Sequence, residues 1–209
     1  MGIRNAGGTN TPLEIYTYDH LDNVTHYTYD KLGRLTKTAS PIDAANSKVV
    51  KYYYDSVSGR HRFRESKSIG DVPTTYVWDG DQLVLEITGS TVKKYIRGLT
   101  LAGCVTGSAK SYYQYDAHGN VVQLTNASGA VTQSYDYDAF GNHIVQSYDD
   151  ANPFRYSGEY FDDETDLYYL RARYYWPSLG QFTQEDTYRG EPNNPLSLNL
   201  YTYCYNDPV

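Results

Sequence analysis

The chain has 209 residues, a net charge of -7 and a mean hydropathy of -0.65. An acidic surface repels phosphate, which excludes nucleic acid as the default partner, and no apolar run reaches the roughly 18 residues of a membrane span. Twenty-five residues are Tyr against five Phe, so a core must be built from rings whose hydroxyls need partners or water, a composition suited to a thin sheet wetted on at least one side.

Residues 1–12, MGIRNAGGTNTP, hold no hydrophobic signal segment, and Ala6 breaks the myristoylation pattern. Any export is expected to rely on a signal outside these residues, or on a larger protein. From Tyr16 onward one phrase recurs, Tyr-x-Tyr-Asp: YTYD at Tyr16 and Tyr27, YYYD at Tyr52, YVWD at Tyr76 with Trp78 in the second ring position, YQYD at Tyr113 and YDYD at Tyr135. Rings at i and i+2 share one face of a strand. The residue between them is variable and mostly polar, which points it to the other face. Three copies continue as Asp30-Lys-Leu-Gly33, Asp116-Ala-His-Gly119 and Asp138-Ala-Phe-Gly141. Asp accepts backbone hydrogen bonds to begin a turn and Gly supplies the positive φ that ends it. Strand-like residues follow, as in Val121-Val122-Gln123-Leu124, so each phrase predicts a strand–turn–strand hairpin.

Further turn signals stand at Asp22-Asn23, Ser58-Gly59, Asp79-Gly80-Asp81, Thr88-Gly89-Ser90 and Ser128-Gly129, and a longer loop is predicted over Lys37–Lys51 around Pro41. No stretch of helical length carries an apolar stripe. The densest basic spot, His61 to Arg64, reads as a solvated strand face or a phosphate site. Cys104 and Cys204 lack any Cys-x-x-Cys spacing and read as small buried thiols or, after export, one disulfide.

Near Asn152 the style changes. Read as one strand, Tyr168, Leu170, Ala172 and Tyr174 share a face, with Tyr169, Arg171, Arg173 and Tyr175 on the other. The two arginines are positioned to stack on tyrosines or to pair with the acids of Asp162-Asp163-Glu164-x-Asp166. That acidic run misses the spacing of a calcium loop. Asp162, Asp163, Glu185, Asp186 and Asp207 offer carboxylates for aspartyl chemistry, but nothing in the sequence brings two together. His20, His26, His61, His118 and His143 fall in or near repeat turns, without metal-site or phosphate-loop spacing. His118 aligns with Phe140 of the next copy, as a turn filler would. No residue is assigned a catalytic, cofactor-binding or metal-binding role.

The YD phrases together with FRYSGEYFDDETDLYYLRARYY and Asn199-x-Tyr201-x-Tyr203 resemble the Rhs/YD-repeat family, with residues 153–209 similar to its repeat-associated core. The resemblance implies exported or surface proteins whose YD hairpins spiral into a hollow shell around a variable C-terminal toxin, with the core plugging one end. It also implies bacterial competition or insecticidal roles, adhesion receptors among animal relatives, and an aspartyl self-cleavage at an Asp-Pro-x-Gly type stretch beyond the core. This sequence stops at Val209 before that stretch. Trp176, Gln181 and Thr187 stand where Asp, Arg and Pro are usual.

The expected fold is therefore all-β, with antiparallel hairpin repeats in a curved, open sheet. A YD array is expected over 12–150 and a core-like segment over 151–209. The expected function is a non-catalytic fragment of a toxin-encapsulating shell, secreted or at the cell surface within a larger protein and needing no cofactor. Its expected partners are upstream YD repeats, a C-terminal toxin segment and its own kind through open sheet edges. Two alternatives stand beside it: a Tyr-rich module that binds glycans or a cell-surface partner, and a remnant of an aspartyl self-cleaving core.

Overall fold

The computed structural model describes residues 2–4, 13–18, 24–40, 48–55, 63–144 and 151–208. Two compact units divide the chain: Met1–Gln82 with Glu86–Ser90, and Leu83–Leu85 with Thr91–Val209.

The first unit contains β1 (Gly2–Arg4), β2 (Leu13–Tyr18), β3 (Val24–Tyr29), β4 (Leu35–Ser40), β5 (Lys48–Tyr54), β6 (Arg64–Ile69) and β7 (Val72–Asp79). Each pairs antiparallel with the next. Strand β8 (Gln82–Thr88) is shared between the units. The second unit continues with β9 (Thr91–Arg97), β10 (Leu101–Thr106), β11 (Ala109–Tyr115), β12 (Val121–Thr125) and β13 (Val131–Ser134), again antiparallel in sequence order. The hydrogen-bonded order β1 to β13 is linear and does not close. This is the open all-β hairpin array that the repeated phrase predicts.

The face assignment also holds. The first ring of each phrase is buried at Tyr27, Tyr52, Tyr76, Tyr113 and Tyr135, each at most 7% exposed, while the intervening Tyr53 and Val77 are 50% and 38% exposed. The second ring has its own task. Tyr54 Oη donates to the Leu35 carbonyl at 2.7 Å, Trp78 Nε1 to Arg64 at 2.8 Å, Tyr115 Oη to Leu101 at 2.7 Å and Tyr137 Oη to Val121 at 2.8 Å. Every acceptor opens the preceding even-numbered strand, so one side-chain hydrogen bond clamps each hairpin to the end of its neighbour.

One rung had no YD signature. Tyr95 is buried and Ile96 exposed, as in the other copies, but Arg97 takes the second ring position and its Nε donates to the Leu83 carbonyl at 2.9 Å. Burial lowers the Arg97 pKa, opposed by Tyr115 and Tyr113 nearby. A guanidinium N–H donates to a strand carbonyl as a Tyr hydroxyl does in the other rungs.

The turns follow the predicted chemistry. The Asp116 carboxylate accepts the His118 and Asn120 amides, both at 2.9 Å, and Gly119 N donates to the Asp116 carbonyl at 3.2 Å. Asp30 and Asp138 repeat the pattern, and Asn126 performs it without a charge.

Several expectations need correction. Lys37–Ser40 and Lys48–Lys51 are strand and pair with each other, because alternation with Thr38 and Val50 inward outweighs the missing tyrosines; Pro41 lies outside the described residues, as do Asp22-Asn23, Ser58-Gly59, His20 and His61. Arg64 is neither a solvated face nor a phosphate contact: it is 1% exposed, stacked over Tyr52 and Tyr76 at 5.4 and 4.8 Å. Cys104 and Cys204 are free thiols, partly exposed and exposed, rather than buried.

The second unit also holds a separate four-stranded antiparallel sheet: β14 (Tyr160–Asp162), β15 (Leu167–Tyr169), β16 (Tyr174–Trp176) and β17 (Gln181–Phe182). The segment read as one strand is thus a hairpin. The Leu170 amide donates to the Arg173 carbonyl at 2.9 Å and Arg171 adopts φ 59, which reverses the chain. Tyr168 therefore faces Tyr175 and Tyr169 faces Tyr174.

Candidate functional site

Residues 151–208 close on the last repeat turn, Asp138 to Asn142. Tyr156 Oη donates to the Ala139 carbonyl at 2.8 Å, Tyr175 Oη to Phe140 at 2.7 Å and Tyr168 Oη to Gly141 at 3.2 Å. Three successive carbonyls of one turn are thus taken by rings from the 3-10 turn Tyr156–Gly158, β16 and β15. Asn142 Nδ2 donates to the Pro177 carbonyl at 3.2 Å. The fit is tight. A Cβ on Gly141 would lie 2.6 Å from the Tyr156 ring, and one on Gly180 would lie 3.1 Å from Phe140. A side chain at either position is excluded unless the rings move.

The preceding turn is engaged as well. The Asn120 side-chain oxygen accepts the Ser157 amide at 2.8 Å, and the Val121 amide donates to the Arg155 carbonyl at 3.0 Å. Asn152 bridges two first-position rings: it accepts from Tyr113 Oη at 2.7 Å and its Nδ2 donates to Tyr135 Oη at 3.2 Å.

Behind these contacts, Tyr156, Phe161, Tyr168 and Tyr175 form one buried cluster. The terminal motif straps it: the Tyr201 amide donates to the Asn199 side chain at 3.1 Å, Phe182 N to the Tyr201 carbonyl at 2.8 Å, and Tyr203 lies 4.2 Å from Tyr175, centroid to centroid. Burial pushes the Tyr156, Tyr168 and Tyr175 hydroxyls well above the ordinary phenol range, so they remain neutral donors at every physiological pH. Such clusters combine ring packing with fixed polar tips.

The arginines of the hairpin find partners other than the predicted acidic turn. Arg171 forks onto both Glu159 oxygens, and Arg173 stacks 3.5 Å over Phe182 while pairing with Asp186 at 2.8 Å. Burial lowers the Arg173 pKa and the Asp186 charge counteracts it. Bidentate Arg–carboxylate geometry fixes orientation as well as charge.

Of the carboxylates considered for aspartyl chemistry, Asp162 is fully buried. Glu185 holds Arg189 at 3.1 Å, Asp186 holds Arg173, and Asp207 is exposed. Among the described residues, no three His, Cys, Asp or Glu side chains gather as metal ligands. No helix among those residues is long and apolar enough to cross a membrane.

His118 is a turn filler with its ring 5.5 Å from Tyr156. His143 is more than that. Its ring is edge-on to Phe161 at 4.7 Å, with Arg155 Nη1 at 3.5 Å from Nδ1 and Tyr168 Oη at 3.3 Å from Nε2. Burial first, and Arg155 second, lower its pKa to about 4. No spacing rule singles out this histidine, because its partners come from a non-repeated segment.

A family model described as Teneurin YD-shell matches residues 16–209. The chain is 33% identical over 215 residues to the tRNA3(Ser)-specific nuclease WapA of Bacillus spizizenii, covering 99% of this chain and 8% of that protein. It is 26% identical to the double-stranded DNA deaminase toxin A of Burkholderia cenocepacia, covering 95% and 14%. This chain therefore spans only a small part of the length of such relatives. Among solved structures, the Photorhabdus luminescens Tc holotoxin pore aligns with TM-score 0.52 and 17% identity over 95% of this chain and 9% of that one, and a TcdB2-TccC3 crystal structure aligns with TM-score 0.53 and 17% identity over 95% and 9%; both likenesses concern the fold. With the family pattern running through nearly every repeat and through the closing segment, the chain belongs to the Teneurin YD-shell family.

Proposed function

We propose that this chain is wall and closing segment of a YD shell, without catalysis of its own, in a larger protein that encloses and delivers a C-terminal toxin. The observation that carries the reading is the capture of the carbonyls of Ala139, Phe140 and Gly141 by Tyr156, Tyr175 and Tyr168, which ends the hairpin array in a fixed structure. The division is an array over 12–150 and a closing segment over 151–209. Relatives named as a nuclease and as a deaminase toxin support a toxin as the enclosed partner, and the edge at β1, unpaired among the described residues, leaves room for upstream YD repeats as neighbours of the first strands. The setting that follows is secretion or the cell surface as part of that larger protein. Unpaired sheet edges also favour self-association when the array is isolated.

Two experiments test this. In a longer chain with upstream repeats and a cargo after Val209, the cargo is protected from added protease, and Tyr156→Phe/Tyr168→Phe/Tyr175→Phe exposes it. Equal digestion of both would end the encapsulation reading. The 209-residue chain held at neutral pH for a day keeps an uncut mass; a discrete cut near Asp207 would instead favour surviving aspartyl self-cleavage.

A second reading, binding of a small polar or glycan ligand, draws on a cavity of about 250 Å³ lined by Tyr95, Tyr113, Lys93, Ser111, Gln133 and Asn152. A sugar panel read by ligand-detected NMR, with Lys93→Ala as control, tests it.

A further inference from the structure

We propose that His143 is an acid-responsive release point for residues 151–208: protonation of its ring sets a second positive charge against Arg155 and breaks the hydrogen bond between the two, at the head of the chain that runs through Tyr168 to the last repeat turn. The claim stands on the docking geometry, independently of what a shell would enclose.

His143 follows that turn directly and bridges back to Tyr137. Arg155 at one end and the Gly141 carbonyl at the other fix the directions of the hydrogen bonds between them. A guanidinium carries donors only, so Arg155 Nη1 donates and Nδ1 of His143 accepts, at 3.5 Å. The ring proton therefore sits on Nε2 and is given to Tyr168 Oη, 3.3 Å away. The Tyr168 hydroxyl then sends its own hydrogen to the Gly141 carbonyl at 3.2 Å. The chain runs one way, from Arg155 through His143 and Tyr168 to the turn.

An imidazolium has a hydrogen on both nitrogens. Its Nδ1–H would meet the Arg155 N–H groups, cation against cation. Arg155 is poorly placed to withdraw. It is 2% exposed, lies over the rings of Tyr135 and Phe161 at 5.7 and 5.0 Å, and its Nε donates to the Asn152 carbonyl at 3.3 Å. Its own carbonyl holds the Val121 amide.

Titratable and charged groups near His143 include Arg155 from the start of the closing segment, Tyr168 from β15 and Tyr137 from its own repeat, with Asp163, just past β14, beside Arg155. Phe161 of β14 adds an uncharged ring. Asp163 supplies little compensation: its carboxylate is 3.9 Å from Arg155 and 78% exposed, where solvent screens it.

The lowered His143 pKa agrees in sign. A His whose folded pKa lies below its free value binds fewer protons when docked. Docking is thus at full strength above about 6.5 and is lost as pH falls toward 4, by up to about tenfold per pH unit. The ion pairs of Arg171 and Arg173 are common to the wild type and a His143 variant, so the difference between the two proteins isolates the imidazole.

The test uses the full chain. Amide hydrogen exchange, expressed as protection factors, is compared between pH 7.5 and 5.0 for the wild type and His143→Gln, whose amide can accept from Arg155 and donate to Tyr168 without titrating. The wild type is expected to lose at least about tenfold protection over residues 139–142 and 151–162, with residues 101–115 unchanged, and His143→Gln to keep its protection. Imidazole nitrogen NMR of the wild type should show the Nε2–H tautomer at pH 7.5 and titration below pH 5.5. Identical pH profiles for the two proteins would overturn the proposal. So would titration of His143 near 6.5 without loss of protection. If His143→Gln is already unprotected at pH 7.5, the NMR titration and the wild-type exchange profile decide between these results.

Discussion

The repeat array and the closing segment use the same bond, an aromatic polar tip donated to a backbone carbonyl, toward different ends. In the array Tyr54, Trp78, Tyr115 and Tyr137 each clamp one hairpin to its neighbour. In the closing segment three hydroxyls converge on a single turn. The backbones differ in the same sense. Among the described residues, positive φ within the array falls on glycine, whereas Ser157, Asp166, Arg171, Cys204, Tyr205 and Asn206 adopt it without that freedom. Each such residue costs about 1–3 kcal/mol and persists only where its surroundings enforce it. A repeat must be writable many times, so it uses local, unstrained chemistry. A closure is written once and holds its backbone through tertiary contacts.

The largest expected break in this comparison is between two glycines with equivalent turn positions. Gly119 and Gly141 have φ 88 and 84, but a Cβ on Gly119 meets nothing within 4 Å, whereas one on Gly141 meets the Tyr156 ring. Gly119→Val should cost about 2 kcal/mol from backbone strain alone, and Gly141→Val about 4 kcal/mol because overpacking adds to it. Denaturant titration of both variants reads the difference, and equal losses would deny that the closing segment packs on this turn.

Next come the hydroxyls. Tyr168→Phe leaves the Gly141 carbonyl without that donor and should cost about 1–2 kcal/mol, and Tyr115→Phe about 1 kcal/mol. The exchange loss from Tyr168→Phe should reach residues 138–142, and that from Tyr115→Phe should stay near Leu101.

Alkali should loosen both regions. Burial raises the Tyr115 hydroxyl to about 12, above its unfolded value near 10. Its contribution is complete below pH 10 and is lost as pH rises from 10 through 12, because the unfolded chain ionises first. Tyrosinate absorbance in a pH titration should thus lag in the folded protein. The smallest effect belongs to Arg189→Ala. Its pair with Glu185 is 73% and 51% exposed, and removal should change stability by less than about 0.5 kcal/mol.

The hairpin was legible because its chemistry is local: two rings, an Asp and a Gly within seven residues fix face, turn and return. The Arg97 rung was hidden because a guanidinium replaces the ring and Gly98 replaces the Asp, although Tyr95 lies close to midway between Tyr76 and Tyr113. The β15–β16 hairpin left no local signal. Its turn, Leu170 to Arg173, contains no Gly, Asn or Pro, and Arg171 is forced to positive φ while bound to Glu159. His143 was visible only as a residue near a turn, since Arg155, Phe161 and Tyr168 reach it from a segment that shares no period with the array.

The most direct test of the account is amide exchange at pH 7.5 on the full chain and on Tyr156→Phe/Tyr168→Phe/Tyr175→Phe. If residues 151–208 end the array by seizing its last turn, protection falls over 138–142 and 156–176 while 101–115 keeps its own. Unchanged protection at the last turn would contradict that claim.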